Sequence, residues 1–346
     1  MPISQSQSTV IATLVVAVCL SCSMVPSHNL FADGIYDRGE QGLYEDKSFS
    51  IDFAAEQWNG YTEYEIRAGS TIYGPTGEIV DIRSRLRFPI ESILFRVGGA
   101  LQTGRLRFDA YASIQVQNSE TVFKDWDTYD GSSGRKTFIY GTAINSGKLI
   151  GFDVSGSYLF RCGKIEFGPG IEFAFLRMEF DDETLKQVDY AYFDTLTWYL
   201  EPYETPLTHF VPGPVLKYKI DYKLLYFGGS AALQSSSGLK GKFTVMVAPV
   251  CWANDFDEHL LRDKTAKIAS SGRAGYVKLD AGYDLNNFIS VSAGIAYHAV
   301  KTSGPQDQRS LDLPFGVIRD IPAKTTAEWM TVGVELSLNL TRLSGR

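Results

Sequence analysis

The chain has 346 residues, of which 44% are apolar, 13% aromatic and 21% charged, so it carries too much hydrophobic material for a disordered polymer. A formal charge of −7 leaves no basic field to hold nucleic acid, and DNA or RNA is not an expected partner. Beyond the N-terminus no run approaches the ~18 apolar residues of a spanning helix, which excludes a helical membrane protein but not a membrane barrel.

In chain order, the first element is Val10–Leu20 (VIATLVVAVCL), an apolar stretch of signal-peptide length followed by Ser21-Cys22-Ser23 and a polar segment. Residues 1–32 are therefore expected to be a signal peptide, with cleavage after Ser23 or Ala32. Residues 33–59 read as an N-terminal extension, and 60–346 as the folded domain. Only Cys162 and Cys251 follow the leader. This is neither a disulfide framework nor a CxxC metal site, and two free thiols are expected.

From there the dominant signal is alternation with period two. In Arg105–Gln117, Leu106, Phe108, Ala110, Ala112, Ile114 and Val116 share one face, against Arg105, Arg107, Asp109, Ser113 and Gln115 on the other. The pattern recurs in Ile150–Phe160, Lys164–Phe175, Tyr276–Tyr283, Phe288–Val300 and Thr331–Leu340. A secreted β-sandwich also alternates. Strands of ten or more residues, whose polar faces carry both acids and bases, fit a membrane barrel better.

Short turns at Gln102–Gly104, Arg161–Gly163, Ser235–Gly238 and Asp284–Asn287 alternate with long polar connections at Gly74–Glu78, Val122–Thr142, Glu179–Pro206, Asp255–Ser271 and Thr302–Glu328. Four short turns and five long loops give an all-β fold, a ten-stranded antiparallel transmembrane β-barrel with short periplasmic turns and long extracellular loops. Pro89, Pro169 and Pro249 fall in strands, where bulges are expected because proline cannot donate to a ladder.

Functional residues should lie where strands enter the long loops. One cluster there is Lys124-Asp125-Trp126-Asp127 at the end of the third strand, with Asp125 and Asp127 on the lumen side by parity. The other is Asn254-Asp255-Phe256-Asp257-Glu258-His259 at the end of the seventh. A carboxylate beside a histidine suits general-base activation of water, because the acid fixes the imidazole tautomer and favours the imidazolium that forms. Metal binding is not expected, since one histidine among scattered acids lacks ligand spacing. His298 in the ninth strand reads as a lumen network member, and His209 belongs near the third long loop.

The stretch from about Tyr64 to Leu340 resembles the omptin family of outer-membrane endopeptidases, whose site lies on the extracellular rim of a ten-stranded barrel. Asp255-x-Asp257-Glu258-His259 is similar to the family's D-N-D-E-H, and Lys124-Asp125-Trp126 to part of its D-x-D-W. The resemblance implies an aspartic-type endopeptidase of the bacterial outer membrane, site facing the cell exterior, cutting beside Arg or Lys in basic peptide or protein substrates. Asp257 and His259 would activate water, opposed by Asp125 and Asp127, while Glu78 and Asp255 would bind the basic side chain. Aligning on the tryptophan instead puts Phe123 where the first aspartate is expected, leaving Asp125 alone opposite the couple. Lipopolysaccharide is the lipid that family members need for activity. The alternative is a catalytically inactive barrel of this fold, acting as an adhesin or receptor for basic peptides.

Overall fold

The computed structural model describes residues 47–75, 79–131, 134–194, 199–310 and 316–340. The expected leader, Glu78 and the tail after Leu340 lie outside the described residues. The strands are β1 (Lys47–Tyr73), β2 (Ile79–Thr103), β3 (Leu106–Asn118, continued by Thr121–Gly131), β4 (Gly134–Tyr158, continued by Phe160–Cys162) and β5 (Ile165–Asp194). They are followed by β6 (Tyr199–Gln234), β7 (Leu239–His259), β8 (Lys264–Asp284), β9 (Ile289–Ser310) and β10 (Val317–Asn339). Each pairs antiparallel with its neighbours in sequence, and β1 closes the ring on β10 from Ser50↔Asn339 to Ile66↔Ala323. The fold is the expected ten-stranded transmembrane barrel.

Two expectations about boundaries are corrected. The first strand begins at Lys47, so residues 47–59 are not an extension but the lower half of β1, paired with both β2 and β10. Their faces do alternate, with Phe49, Ile51 and Phe53 against Ser50, Asp52 and Glu56, but the adjacent Ala54 and Ala55 blur the pattern. Likewise, most of the polar connections read as long loops are ladder. β5 and β6 run 30 and 36 residues, and β7 resumes as β8 after a single 3-10 turn at Leu260–Arg262. Above the lipid both faces of a strand meet water, so alternation fades while the backbone hydrogen bonds continue.

Short turns fall where expected, with Gly104, Gly163 and Gly238 in the left-handed region that glycine adopts without penalty. The three prolines expected to disturb strands all mark irregularities. Pro89 of β2 lies opposite the break between the two segments of β3, and Pro169 of β5 opposite the break in β4. Pro249 sits in a bulge where β7 slips against both neighbours. Cys162 and Cys251 are both free, the first exposed and the second buried.

The outer wall divides into two zones. Over the lower part the outward side chains are apolar, among them Phe95, Val97, Phe108, Phe152, Val154, Phe243, Val245, Leu279, Ile295 and Leu336, all at least 40% exposed, as a lipid-facing belt requires. Higher on the same strands the outward residues become charged and paired: Arg87 with Glu63 at 2.7 Å, Arg83 with Asp130 at 2.7 Å, Arg177 with Asp221 at 2.6 Å and Lys219 with Glu179 at 3.2 Å. Such a wall is too costly to hold in hydrocarbon, so the upper barrel stands clear of the membrane.

The lumen is filled. Within the belt Arg96 reaches Asp153 at 2.8 Å and lies over the Tyr111 ring, Arg107 pairs with Asp109 at 2.8 Å, and Lys278 with Asp280 at 3.1 Å. Trp58, His298 and Trp329 stack above them, followed by buried Tyr226 and Tyr222. Small ten-strand barrels leave little room once bulky side chains point inward. Liposomes carrying the refolded protein should therefore show no swelling in isosmotic sugar solutions, whereas measurable sugar flux would restore a diffusion-pore reading.

Candidate active site

The site builds on an aromatic layer high in the barrel. Phe88 of β2 is fully buried, stacks on Tyr218 of β6 at 4.2 Å between ring centres, and meets Phe123 of β3 at 5.0 Å and Phe180 of β5 at 5.2 Å. One inward position further up their strands, Phe123 and Phe180 give way to Asp125 and Asp182. Carboxylates from several strands thus converge on top of an apolar floor.

On β7 the inward face carries Asp255, Asp257 and His259 in succession, because strand parity puts every second residue on one side. Asp257 is only 1% exposed, and its Oδ2 lies 2.9 Å from His259 Nε2. The same oxygen accepts a hydrogen bond from the hydroxyl of Tyr64, itself buried, reaching across from β1. Asp257 Oδ1 is also buried, with no hydrogen-bond partner. Asp255, at 6% exposure, accepts from the Tyr218 hydroxyl at 3.2 Å. All of these groups lie level with the charged upper wall, for Asp257 pairs across the ladder with Tyr218, whose neighbours Lys217 and Lys219 point outward.

Burial sets the electrostatics of this upper chamber. It pushes the Tyr64 phenol well above its ordinary range, helped by the negative charges of Asp257, Asp255 and Asp125, so Tyr64 is a donor and never a phenolate here. Asp255 is likewise pushed up by burial, against the hydrogen bond from Tyr218. Asp125, opposite buried Leu86 of β2, is near enough to add its charge at the Tyr64 phenol. Asp127 shares the inward face two residues nearer the rim, opposite Ser84 of β2. Phe123 is 3% exposed and belongs to the aromatic floor.

Of the sequence-predicted residues, Asp255, Asp257 and His259 share the inward face of β7, Asp125 and Asp127 share that of β3, and Glu78 lies outside the described residues. The other two described histidines, His298 and His209, stay apart from these residues. His298 stacks on Trp329 with ring centres 4.9 Å apart, and His209 pairs with Asp189 at 3.1 Å on the upper hairpin of β5 and β6.

Sequence reasoning missed Tyr64 and Asp182. Asp182 is 1% exposed, accepts from Asn145 Nδ2 at 2.6 Å, and leaves Oδ2 buried without a partner. Through Leu216 it shares a row of the sheet with His259. The available signal was an acid ending the inward apolar row Leu176, Met178, Phe180. Burial raises its carboxyl to about 8, opposed by the Asn145 hydrogen bond and reinforced by the charge of Asp257.

That shift has a sign. A carboxyl raised on folding keeps its proton between about pH 4 and about pH 8, where the unfolded chain has lost it, so its contribution to stability is lost as pH rises through that window. The urea midpoint of the refolded barrel should fall over this range, and Asp182→Asn should flatten the fall. An unchanged slope in the variant would show that Asp182 does not hold its proton.

Among solved structures, the outer-membrane protease OmpT from Escherichia coli is similar, with a TM-score of 0.70 at 13% identity over 84% of this chain and 96% of that one. The outer-membrane protein OprG from Pseudomonas aeruginosa matches at a TM-score of 0.31, 12% identity, and 83% and 95% coverage. The translocator domain of the autotransporter NalP from Neisseria meningitidis matches at 0.29, 11% identity, and 95% and 97% coverage. No family model and no curated protein matches the chain. Likeness to OmpT at this identity shows a shared outer-membrane barrel fold.

Proposed function

We propose that the chain is an omptin-like endopeptidase of the bacterial outer membrane, hydrolysing peptide bonds beside Arg or Lys with its chamber open to the cell exterior. The observation that carries this reading is the couple formed by His259 Nε2 and Asp257 Oδ2 at 2.9 Å, on the same inward strand face as Asp255. The likeness of the barrel to OmpT supports it.

His259 takes a proton from water as the water attacks the scissile carbonyl. Asp257 stabilises the imidazolium, which returns the proton to the leaving amine. Asp125, with Asp127 nearer the rim, orients the water from the opposite wall. Asp255 and Glu78 attract the basic side chain of the substrate by charge. Lipopolysaccharide around the upper edge of the belt supports the active form.

A second reading is favoured by one residue. Phe123 is packed into the aromatic floor, and if the family pattern is aligned on Trp126 it takes the place of an aspartate, so the same chamber without chemistry would be a receptor for basic peptides.

A quenched fluorescent peptide containing Arg-Arg separates the two readings, incubated with the refolded barrel and lipopolysaccharide beside an Ala-Ala control. Cleavage of the basic peptide alone is expected, lowered at least ~100-fold by His259→Ala and by Asp257→Asn, the range a lost general base gives. Saturable binding of the Arg-Arg peptide without cleavage would instead establish the receptor.

A further inference from the structure

We infer that Tyr64 is a positioning residue that selects the working tautomer of His259, leaving Nδ1 as the atom that accepts the proton from water. The inference rests on the catalytic reading of Asp257 and His259, and deepens it.

Three observations carry it. Tyr64 and His259 converge on one oxygen, Asp257 Oδ2. Asp257 Oδ1 is sealed from solvent and has no partner, so the carboxylate meets both groups through Oδ2. Tyr64 is buried at 2% exposure among Phe88 and Tyr218, which fixes its ring and leaves its hydroxyl little freedom to turn elsewhere.

The phenolic hydroxyl of Tyr64 donates to that oxygen. That donation leaves Oδ2 as an acceptor, the role it plays in a carboxylate. An ionised carboxylate has only acceptor positions, so the imidazole nitrogen facing it must carry the hydrogen. Nε2–H then donates to Asp257 and Nδ1 keeps its lone pair. Without the phenol, the cheapest way to satisfy a buried Asp257 is for it to hold a proton and donate to Nε2. The hydrogen of the imidazole moves to Nδ1, and the base is lost without any change in the peptide-binding acids.

Nitrogen-15 spectra of the histidine-labelled barrel in detergent test this. Four histidines make the spectrum tractable, and His259→Ala identifies the signal of interest. The native protein should show His259 as the Nε2–H tautomer, and Tyr64→Phe should move it toward Nδ1–H. With the Arg-Arg peptide, kcat should fall about tenfold in Tyr64→Phe with KM unchanged, the size of one hydrogen bond to a charged group. A native Nδ1–H tautomer would overturn the proposal. So would an unchanged tautomer in a Tyr64→Phe barrel that retains the native heat-modifiable mobility on gels. The spectra decide even if the native protein cleaves nothing, so failure of the catalytic reading and failure of the tautomer assignment remain distinct.

Discussion

Closure of the strand ladder is the constraint on which everything else in this molecule rests. A sheet in lipid must satisfy every backbone donor and acceptor internally, and pairing β1 with β10 does so by removing both edges. Closure forces each strand to alternate between a lipid face and a lumen face. The outward side chains must be apolar over the height of the belt, and the inward ones must fill a narrow bore. The charged pairs around Arg96 and Arg107 are tolerable inside because each meets a partner there.

The same parity builds the chamber. Once β7 enters the upper barrel, Asp255, Asp257 and His259 have no choice but to share one face, and Phe123, Asp125 and Asp127 are tied together on β3 in the same way. The aromatic floor of Phe88, Tyr218, Phe180 and Phe123 then separates two regimes. Below it, acids and bases neutralise one another. Above it, the buried acids are held by hydroxyl and amide donors from Tyr64, Tyr218 and Asn145 and by the imidazole of His259.

The parts of the molecule written in local pattern were legible from sequence. Alternation gave the strands, glycine turns gave the short-turn end, and parity alone placed Asp125 and Asp127 inward. Pro89, Pro169 and Pro249 predicted where ladders would break or bulge. What depended on contacts across the bore was not legible. Tyr64 reaches Asp257 over a sequence separation of 193 residues, and nothing in the segment around it marks it as different from any other inward aromatic. Asp182 was hidden in the same way, by a role set by Asn145 and the opposite wall. The lengths of the upper strands were misread for another reason, since alternation reports lipid on one side and falls silent when both sides are wet.

The proposed hydrolysis requires a water held between His259 and Asp125 above the aromatic floor. A high-resolution crystal structure of the refolded barrel at neutral pH tests it most directly. Density is expected for an ordered water hydrogen-bonded to both the free ring nitrogen of His259 and a carboxylate oxygen of Asp125. An imidazole turned so that both nitrogens contact protein, with the space between it and Asp125 closed by side chains, would contradict it.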